Sequence, residues 1–543
     1  MWTDWLALTF TSGVVVKDEV QPSSTTRFTT AVPLYNHAVQ HSYNYLRPRL
    51  RVALLGVNYS LLPSRRKRNV KSVVGSLIRF TRSMRIGITI SMDYLIAPVL
   101  GYTESEIHRR SADRIVQGCL QNGGIYIKLG QGLAAVNHIL PREYVESLSI
   151  LQDKCLIREK DEMEEIFLQD FGKKPGEMLR KIEPEPVAAA SLAQVYKGTT
   201  LDGDTVAIKV QYIDLQDRFI SDLKAIVHLL KAITVVHPKF DLHWEMIDTL
   251  RMELDFENEG KNGEQCAKDL KRFEYAYIPK IYWDLSSKRI LTTEWIDGVK
   301  VTDVEGIKAQ GLDLKDVDNK LITLMGEQIF HTGFVHADPH PGNVFVRKGK
   351  DKKAQIVLLD HGLYEHVSEK TRQTLCNFWE SMVLRNDSSL KTFAQDLNVE
   401  DYILLAEMLT QAPYTVSFTS YSNNTLDEYM KKRAQEQFDK ITAALKAMPK
   451  SMMLVIRNLN MVRAIIKDHG DIINRYRIMA RIATRGKYQV TKQTFYKNIK
   501  GIYSIVKFEI RIFCNNLLQW IPKVYLTLLK LFGYDIASIL QTL

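Results

Sequence analysis

The sequence predicts an α+β chain of two lobes, a small one on an antiparallel sheet and a larger, mostly helical one, preceded by a helical extension. Three observations predict it. Residues 194–198 and 205–210 alternate as strands around the turn Leu201-Asp202-Gly203-Asp204, which makes a hairpin. Helical periodicity dominates 104–171 and returns beyond Asp316. Between those blocks, 334–362 reads FVHADPHPGNVFVRKGKDKKAQIVLLDHG and sets polar residues at fixed spacings around two short strands.

In that stretch Asn343 follows Asp338 by five residues, and Asp360 ends the apolar run Ile356-Val357-Leu358-Leu359. Phosphoryl transfer needs one carboxylate to orient the acceptor, and an amide with a second carboxylate to hold magnesium against the phosphates. Asp338 suits the first role; Asn343 and Asp360 suit the second. Strands at 344–347 and 355–359 would form a hairpin that brings Asn343 beside Asp360. This is the spacing of a protein-kinase-like fold. A rival reading takes His331, His336, Asp338, His340 and His361 as a hydrolase metal cluster.

At 543 residues with 45% hydrophobic content, the chain can bury a large core. Its five cysteines stand singly, without a CxxC pair, which argues against a disulfide framework or zinc ribbon. The net charge of +11 is concentrated at one end: no acidic residue lies between Glu19 and Asp93, while Lys and Arg recur throughout that span. The rest is nearly neutral, with no basic face interleaved with aromatics, so no nucleic-acid partner is expected.

Residues 1–85 form a basic, acid-poor arm of organellar-targeting or membrane-contact type. The apolar run 52–62 falls short of the roughly 20 residues that span a bilayer. Asp93 interrupts 86–102, where a carboxylate costs about 2.5–3.5 kcal/mol. Neither reads as a span.

Residues 86–180 form the helical extension. Pro141 opens a new helix, Gly172 and Gly176 close the segment, and Lys128 and Gln131 lie three apart on one helix face.

The small lobe occupies 181–298. Ala188-Ala189-Ala190-Ser191 stands where a kinase has a Gly-rich phosphate loop, and Val206-Ala207-Ile208-Lys209 places Lys209 as the phosphate-pairing lysine. Glu253, Asp255 and Glu259, read on one helix, are candidates to orient it. Strands at 277–283 and 289–295 pair and lead to the lobe crossing, where backbone near Glu294 and Ile296 would receive adenine.

The large lobe is 299–505. A helix over 316–331 ends at Gly333, and another covers 368–384. No long activation segment and no APE motif follow Gly362, so no platform for a peptide substrate is expected. Residues 390–500 are helical without a legible signature. The tail, 506–543, is amphipathic, with Lys523 and Lys530 on one face.

Taken in order, KLGQ, AAAS, VAIK, ELDFENEG, HADPHPGN and LLDHG resemble the UbiB/aarF-domain family of atypical kinases, from about residue 104 to at least 365. The resemblance implies that the helix of Lys128 and Gln131 lies over the active site in place of a protein substrate. It implies that Glu259 pairs with Lys209, that Glu253 and Asp255 engage the Lys128 helix, and that the alanine loop alters nucleotide handling. His361 stands where the family more commonly has an apolar residue. The cofactors implied are ATP or ADP with Mg2+; the setting implied is mitochondrial and membrane-associated, with lipid or isoprenoid-quinone-pathway partners. Two readings follow: an unorthodox phosphotransferase or ATPase, and a pseudokinase serving as a membrane-associated scaffold.

Overall fold

The computed structural model describes residues 64–135, 141–153, 161–189, 191–236, 254–414, 433 and 437–488, with helical positions at 502–503, 505–511, 513–514 and 517. Expectations for 1–63, Ala190, Glu253 and 518–543 fall outside the described residues. The chain divides into two units, Met1–Lys71 and Ser72–Leu543. Of the first, only the opening of helix α1 (Ser64–Ile96) is described.

In the second unit the extension continues with α2 (Glu104–Asn122), α3 (Ile125–Ala135), α4 (Arg142–Asp153) and α5 (Asp161–Phe171). The sequence writes the ends of α2. Thr103 and Glu106 form a capping box, and Gly123 stops the helix at a φ of 67° that a side chain resists. Val116, Cys119, Ile127, Leu148 and Leu151 pack α2, α3 and α4 together. A Cβ on Gly130 would press on the Leu151 side-chain tip and the Cys119 sulfur, so glycine there eases the close approach of α3 to α2 and α4. Asp93 is paired with Arg110 and Arg114, and among the described residues no helix is long and apolar enough to cross a membrane.

The small-lobe sheet runs β1 (Leu179–Ile182), β3 (Ala193–Thr200), β4 (Thr205–Gln211), β6 (Ile290–Glu294), with β2 (Ala188–Ala189) paired to β3. Ile166, Phe167, Tyr196, Val206, Ile208 and Ile290 form its core. Helices α6 (Leu215–Val236) and α7 (Phe256–Asp269) belong to this lobe.

Two local expectations are corrected. The helix does not run through 253–259; it starts at Phe256, because Asp255 is extended and its carboxylate caps the Asn258 N–H at 3.1 Å. Nor do 277–283 and 289–295 pair as full strands. Pro279 has no N–H to give, so β5 (Ala276–Tyr277) leaves to pair in parallel with β10 (Ala354–Leu358), and Trp283–Leu285 is a 3-10 turn. A bridge between Ile281 and Thr293 is what persists of the expected ladder.

In the large lobe, β5, β10, β9 (Val344–Lys348) and β7 (Val299–Lys300) form a second sheet. β9 and β10 are the expected antiparallel hairpin. Helix α8 (Leu314–Glu327) widens into a π-turn over Gln328–Thr332 and ends at Gly333, whose φ of 70° reverses the chain into β8 (Phe334–His336). A strand the sequence reading missed, β11 (Tyr364–His366), pairs with β8 just after the Asp360 turn. Ser368 then caps α9 (Glu369–Val383). Helices α10 (Asp387–Asp396), α11 (Tyr402–Thr410), α12 (Phe438–Ala447), α13 (Lys450–Asp468) and α14 (Arg475–Tyr488) complete the described lobe. Leu321, Phe330, Trp379, Ile456 and Ile465 are among the side chains buried between them.

Candidate active site

Strand β4 alternates so that Ile208 and Val210 enter the core and Lys209 points the other way. Its ammonium donates to Glu259 Oε1 and Oε2 at 2.7 and 2.9 Å, and to Asp360 Oδ2 at 3.0 Å. Three residues separated by up to 151 positions therefore meet at one nitrogen. Asp360 is aimed there by the end of β10, and its Oδ1 accepts the Gly362 N–H at 3.0 Å. Helix α7 holds the same turn: Glu259 accepts the His361 N–H, and the Asn262 amide donates to the His361 carbonyl at 3.0 Å.

Burial by itself would lower the Lys209 pKa, but the Asp360 and Glu259 carboxylates outweigh it and raise it. Burial likewise works to raise Asp360, and Lys209, then Lys128, hold it well below the usual carboxylate range. Burial pushes Glu259 up to about 7; Lys209 opposes that shift and repulsion from Asp360 reinforces it.

Strand β8 delivers the second carboxylate. Asp338 is ion-paired on both oxygens, Oδ2 with Lys128 Nζ at 3.4 Å and Oδ1 with Arg457 Nη2 at 3.2 Å. Burial works to raise its pKa, yet Arg457 and then Lys128 hold it at about 2. The loop beyond it is held by hydrogen bonds. His340 Nδ1 accepts the Gly342 N–H at 3.1 Å, and Asn343 N–H donates to the His340 carbonyl at 2.8 Å. Leu359 N–H donates to the Asn343 carbonyl at 2.9 Å, which ties the Asn343 backbone to the residue before Asp360, as the hairpin predicts.

The histidines have other work, and the metal-hydrolase reading is overturned. His331 Nε2 bonds the Ile482 carbonyl at 2.9 Å. His336 stacks on Tyr364 with centroids 4.9 Å apart, and its Nδ1 accepts the Asp338 N–H at 3.3 Å. His361 bonds the Tyr364 hydroxyl at 2.9 Å and the Leu358 carbonyl at 3.1 Å, beneath Gly263 of α7. Burial and the neighbouring His336 push His361 down to about 3, so it is neutral at physiological pH. Among the described residues, no group of three or more His, Cys, Asp and Glu is arranged to hold a metal.

Residues 150–394 match the ABC1 atypical kinase-like domain. The chain is 40% identical over 430 residues to "Probable serine/threonine-protein kinase abkD" of Dictyostelium discoideum, a match covering 76% of this chain and 62% of that protein. It is 35% identical over 413 residues to AarF domain-containing protein kinase 1 of Mus musculus, covering 72% of this chain and 77% of the relative. The chain belongs to the ABC1/AarF family of atypical kinase-like proteins. Among solved structures it is similar to Rv3197 of Mycobacterium tuberculosis in complex with erythromycin, at 18% identity and a TM-score of 0.40, covering 62% of this chain and 90% of that one.

Within this ABC1/AarF chain, the remaining candidate residues divide. Lys128 sits over Asp338, as the resemblance implies. Gln131 does not share that duty: its amide donates to the Leu151 carbonyl at 2.8 Å and braces α3 on α4. Asp255 caps α7 rather than engaging the Lys128 helix. Ala188 and Ala189 form the edge strand β2, paired with Val195 and Gln194, so what stands in place of a glycine loop is an ordered strand; Ser191 beside it is buried. The Glu294 carboxylate accepts from the Tyr277 hydroxyl at 2.6 Å, tying the lobe crossing to β5, and Ile296 is buried.

Two functional neighbours were missed by sequence reasoning. Arg457 and Asn458 come from α13, and Asn458 donates to the His336 carbonyl at 2.6 Å. The only signal for them was an Arg-Asn pair on an amphipathic helix, indistinguishable from a solvated face. The donor set fits a nucleotide with a hard divalent cation: carboxylate and amide oxygens at Asp360 and Asn343, an ammonium at Lys209, and Asp338 Oδ1 buried without a hydrogen bond.

Proposed function

We propose that this protein binds ATP or ADP with Mg2+ and acts as an unorthodox phosphotransferase or ATPase rather than a conventional protein kinase. The observation that carries this reading is the convergence of Lys209 on Glu259 and Asp360 within 3.0 Å. Lys209, oriented by Glu259, would bind phosphate oxygens, and Asp360 with Asn343 would hold the ion. Bound magnesium would neutralise charge on the phosphates. Asp338, ionised and fixed on both sides, would orient an acceptor hydroxyl or water through its unsatisfied Oδ1. A non-peptide acceptor is supported by the short path from Asp360 to the α9 cap at Ser368, closed by the pairing of β11 with β8. On the family likeness we further assign it to lipid or isoprenoid-quinone homeostasis at a mitochondrial membrane; recovery of the tagged full chain outside mitochondria would remove that part.

A second reading, a nucleotide-binding pseudokinase scaffold, is favoured by the Lys128–Asp338 ion pair, which sits where an acceptor must approach. The test is binding and turnover of ATP by the full chain with and without Mg2+, beside Asp360→Asn and Lys209→Ala. Mg2+-dependent binding that both substitutions abolish in folded protein is expected. Unaltered binding by either variant defeats the assignment, and binding without turnover, even on added vesicles, selects the scaffold.

A further inference from the structure

Phosphoryl transfer spreads negative charge over the transferring group, and an enzyme stabilises it with preplaced cations. The catalytic loop supplies none: Asp338-Pro339-His340-Pro341-Gly342-Asn343 contains neither Lys nor Arg. Lys209 is engaged by two carboxylates, and Lys128, 3.4 Å from the other oxygen of Asp338, comes from the covering helix α3 and stands in the path of the acceptor.

Arg457 enters from α13. Its Nη2 lies 3.2 Å from Asp338 Oδ1, its side chain is only 20% exposed, and among the described residues Asp338 is its one ion-pair partner. The contact is an ion pair without a hydrogen bond, since Asp338 Oδ1 and Arg457 Nε are both buried and unsatisfied. A guanidinium carries five donors in a planar fork that matches two oxygens of a phosphoryl group, and here the fork faces the acceptor-orienting carboxylate with donors unspent. The helix that carries it is anchored at two points. Asn458 holds the His336 carbonyl at 2.6 Å, and His469 at the far end is locked between Asp318 and the Val301 carbonyl at 2.6 and 2.7 Å.

We propose that Arg457 is the catalytic cation that clamps the γ-phosphoryl group during transfer, supplied in cis by the helix Lys450–Asp468. This rests on the nucleotide-binding reading above. In the step, the bond from acceptor oxygen to phosphorus forms as the bond from phosphorus to the β,γ-bridging oxygen breaks. ADP leaves with that electron pair, the acceptor proton departs past Asp338 to solvent, and Arg457 keeps its charge throughout.

Because only ATP carries a γ-phosphate, the signature is a ratio. With Mg2+ and the full chain, Arg457→Gln is expected to weaken ATP binding by about 10- to 100-fold, the loss of one charge-assisted contact, while ADP affinity stays within about twofold. Arg457→Lys keeps the charge but loses the fork, and is expected to fall between; it also serves if the Gln variant does not fold. Equal losses for ATP and ADP, no loss for either, or faster turnover in Arg457→Gln would each overturn the proposal, the last by making Arg457 a latch. Failure of the wild type to bind either nucleotide overturns the underlying reading as well, whereas wild-type binding with an unchanged ratio overturns only this one.

Discussion

Removing Lys209 tests the charge cluster directly. In Lys209→Met, Glu259 is left 3% exposed with no cation, facing Asp360. Stranding a buried charge costs about 3–5 kcal/mol, but Glu259 has a cheaper escape. Its carboxyl already titrates at about 7 with Lys209 present. Without it that value rises and the group protonates, so the added cost is at most about 0.4 kcal/mol at pH 7, where the wild-type carboxyl is already half protonated, and it reaches about 1.4 kcal/mol for each unit of rise only at pH above the raised value. The sign follows from linkage. A carboxyl whose folded pKa lies above its unfolded value makes the folded state bind more protons, so its penalty is absent below the unfolded pKa and grows as pH rises through the folded one. Lys209→Met should therefore unfold close to wild type at pH 4.5 and fall progressively behind from pH 6 to 9. Lys209→Met/Glu259→Gln should recover most of the loss at the high end, since two uncharged partners strand nothing. Urea unfolding across that range, with hydrogen exchange at 256–269 and 358–362 as the local readout, measures it. A single variant as stable as wild type at pH 8, or a double variant no better than the single, would mean that the three charges do not share one buried site.

Asn458→Ala strands the buried His336 carbonyl and should cost about 1–3 kcal/mol in unfolding, with lost protection of the 334–336 amides. Gln131→Ala removes one hydrogen bond to Leu151, about 1 kcal/mol, and should leave nucleotide affinity unchanged, whereas Lys128→Ala alters it through Asp338 and Asp360; equal effects from the two would contradict their separate roles. Side-chain and backbone hydrogen bonds raise the His469 pKa against burial, and burial raises that of Asp318. Both shifts make the folded state hold protons, so the advantage of wild type over His469→Gln/Asp318→Asn should shrink as pH rises above about 6.5, as followed by thermal unfolding; a constant difference would show that the pair does not titrate.

What the chain alone determined is what neighbouring residues can enforce. The spacing from Asp338 to Asn343 is set by a proline-bounded turn, the approach of Asn343 to Asp360 by a hairpin of two alternating strands, and the outward face of Lys209 by the period of β4. Each is a consequence of backbone geometry over fewer than thirty residues, and so is legible in one dimension. Tertiary structure decided the partners. Lys128 and Arg457, 329 positions apart in number, flank the two oxygens of Asp338. Gln131 turned from its sequence neighbour to a carbonyl on the next helix, and β5 left one sheet for another at Pro279. An arginine on an amphipathic helix looks the same in sequence whether it meets water or a buried carboxylate. Only the packing of α13 against β8 chooses between them, because helix register specifies which residues share a face and says nothing about what that face will meet.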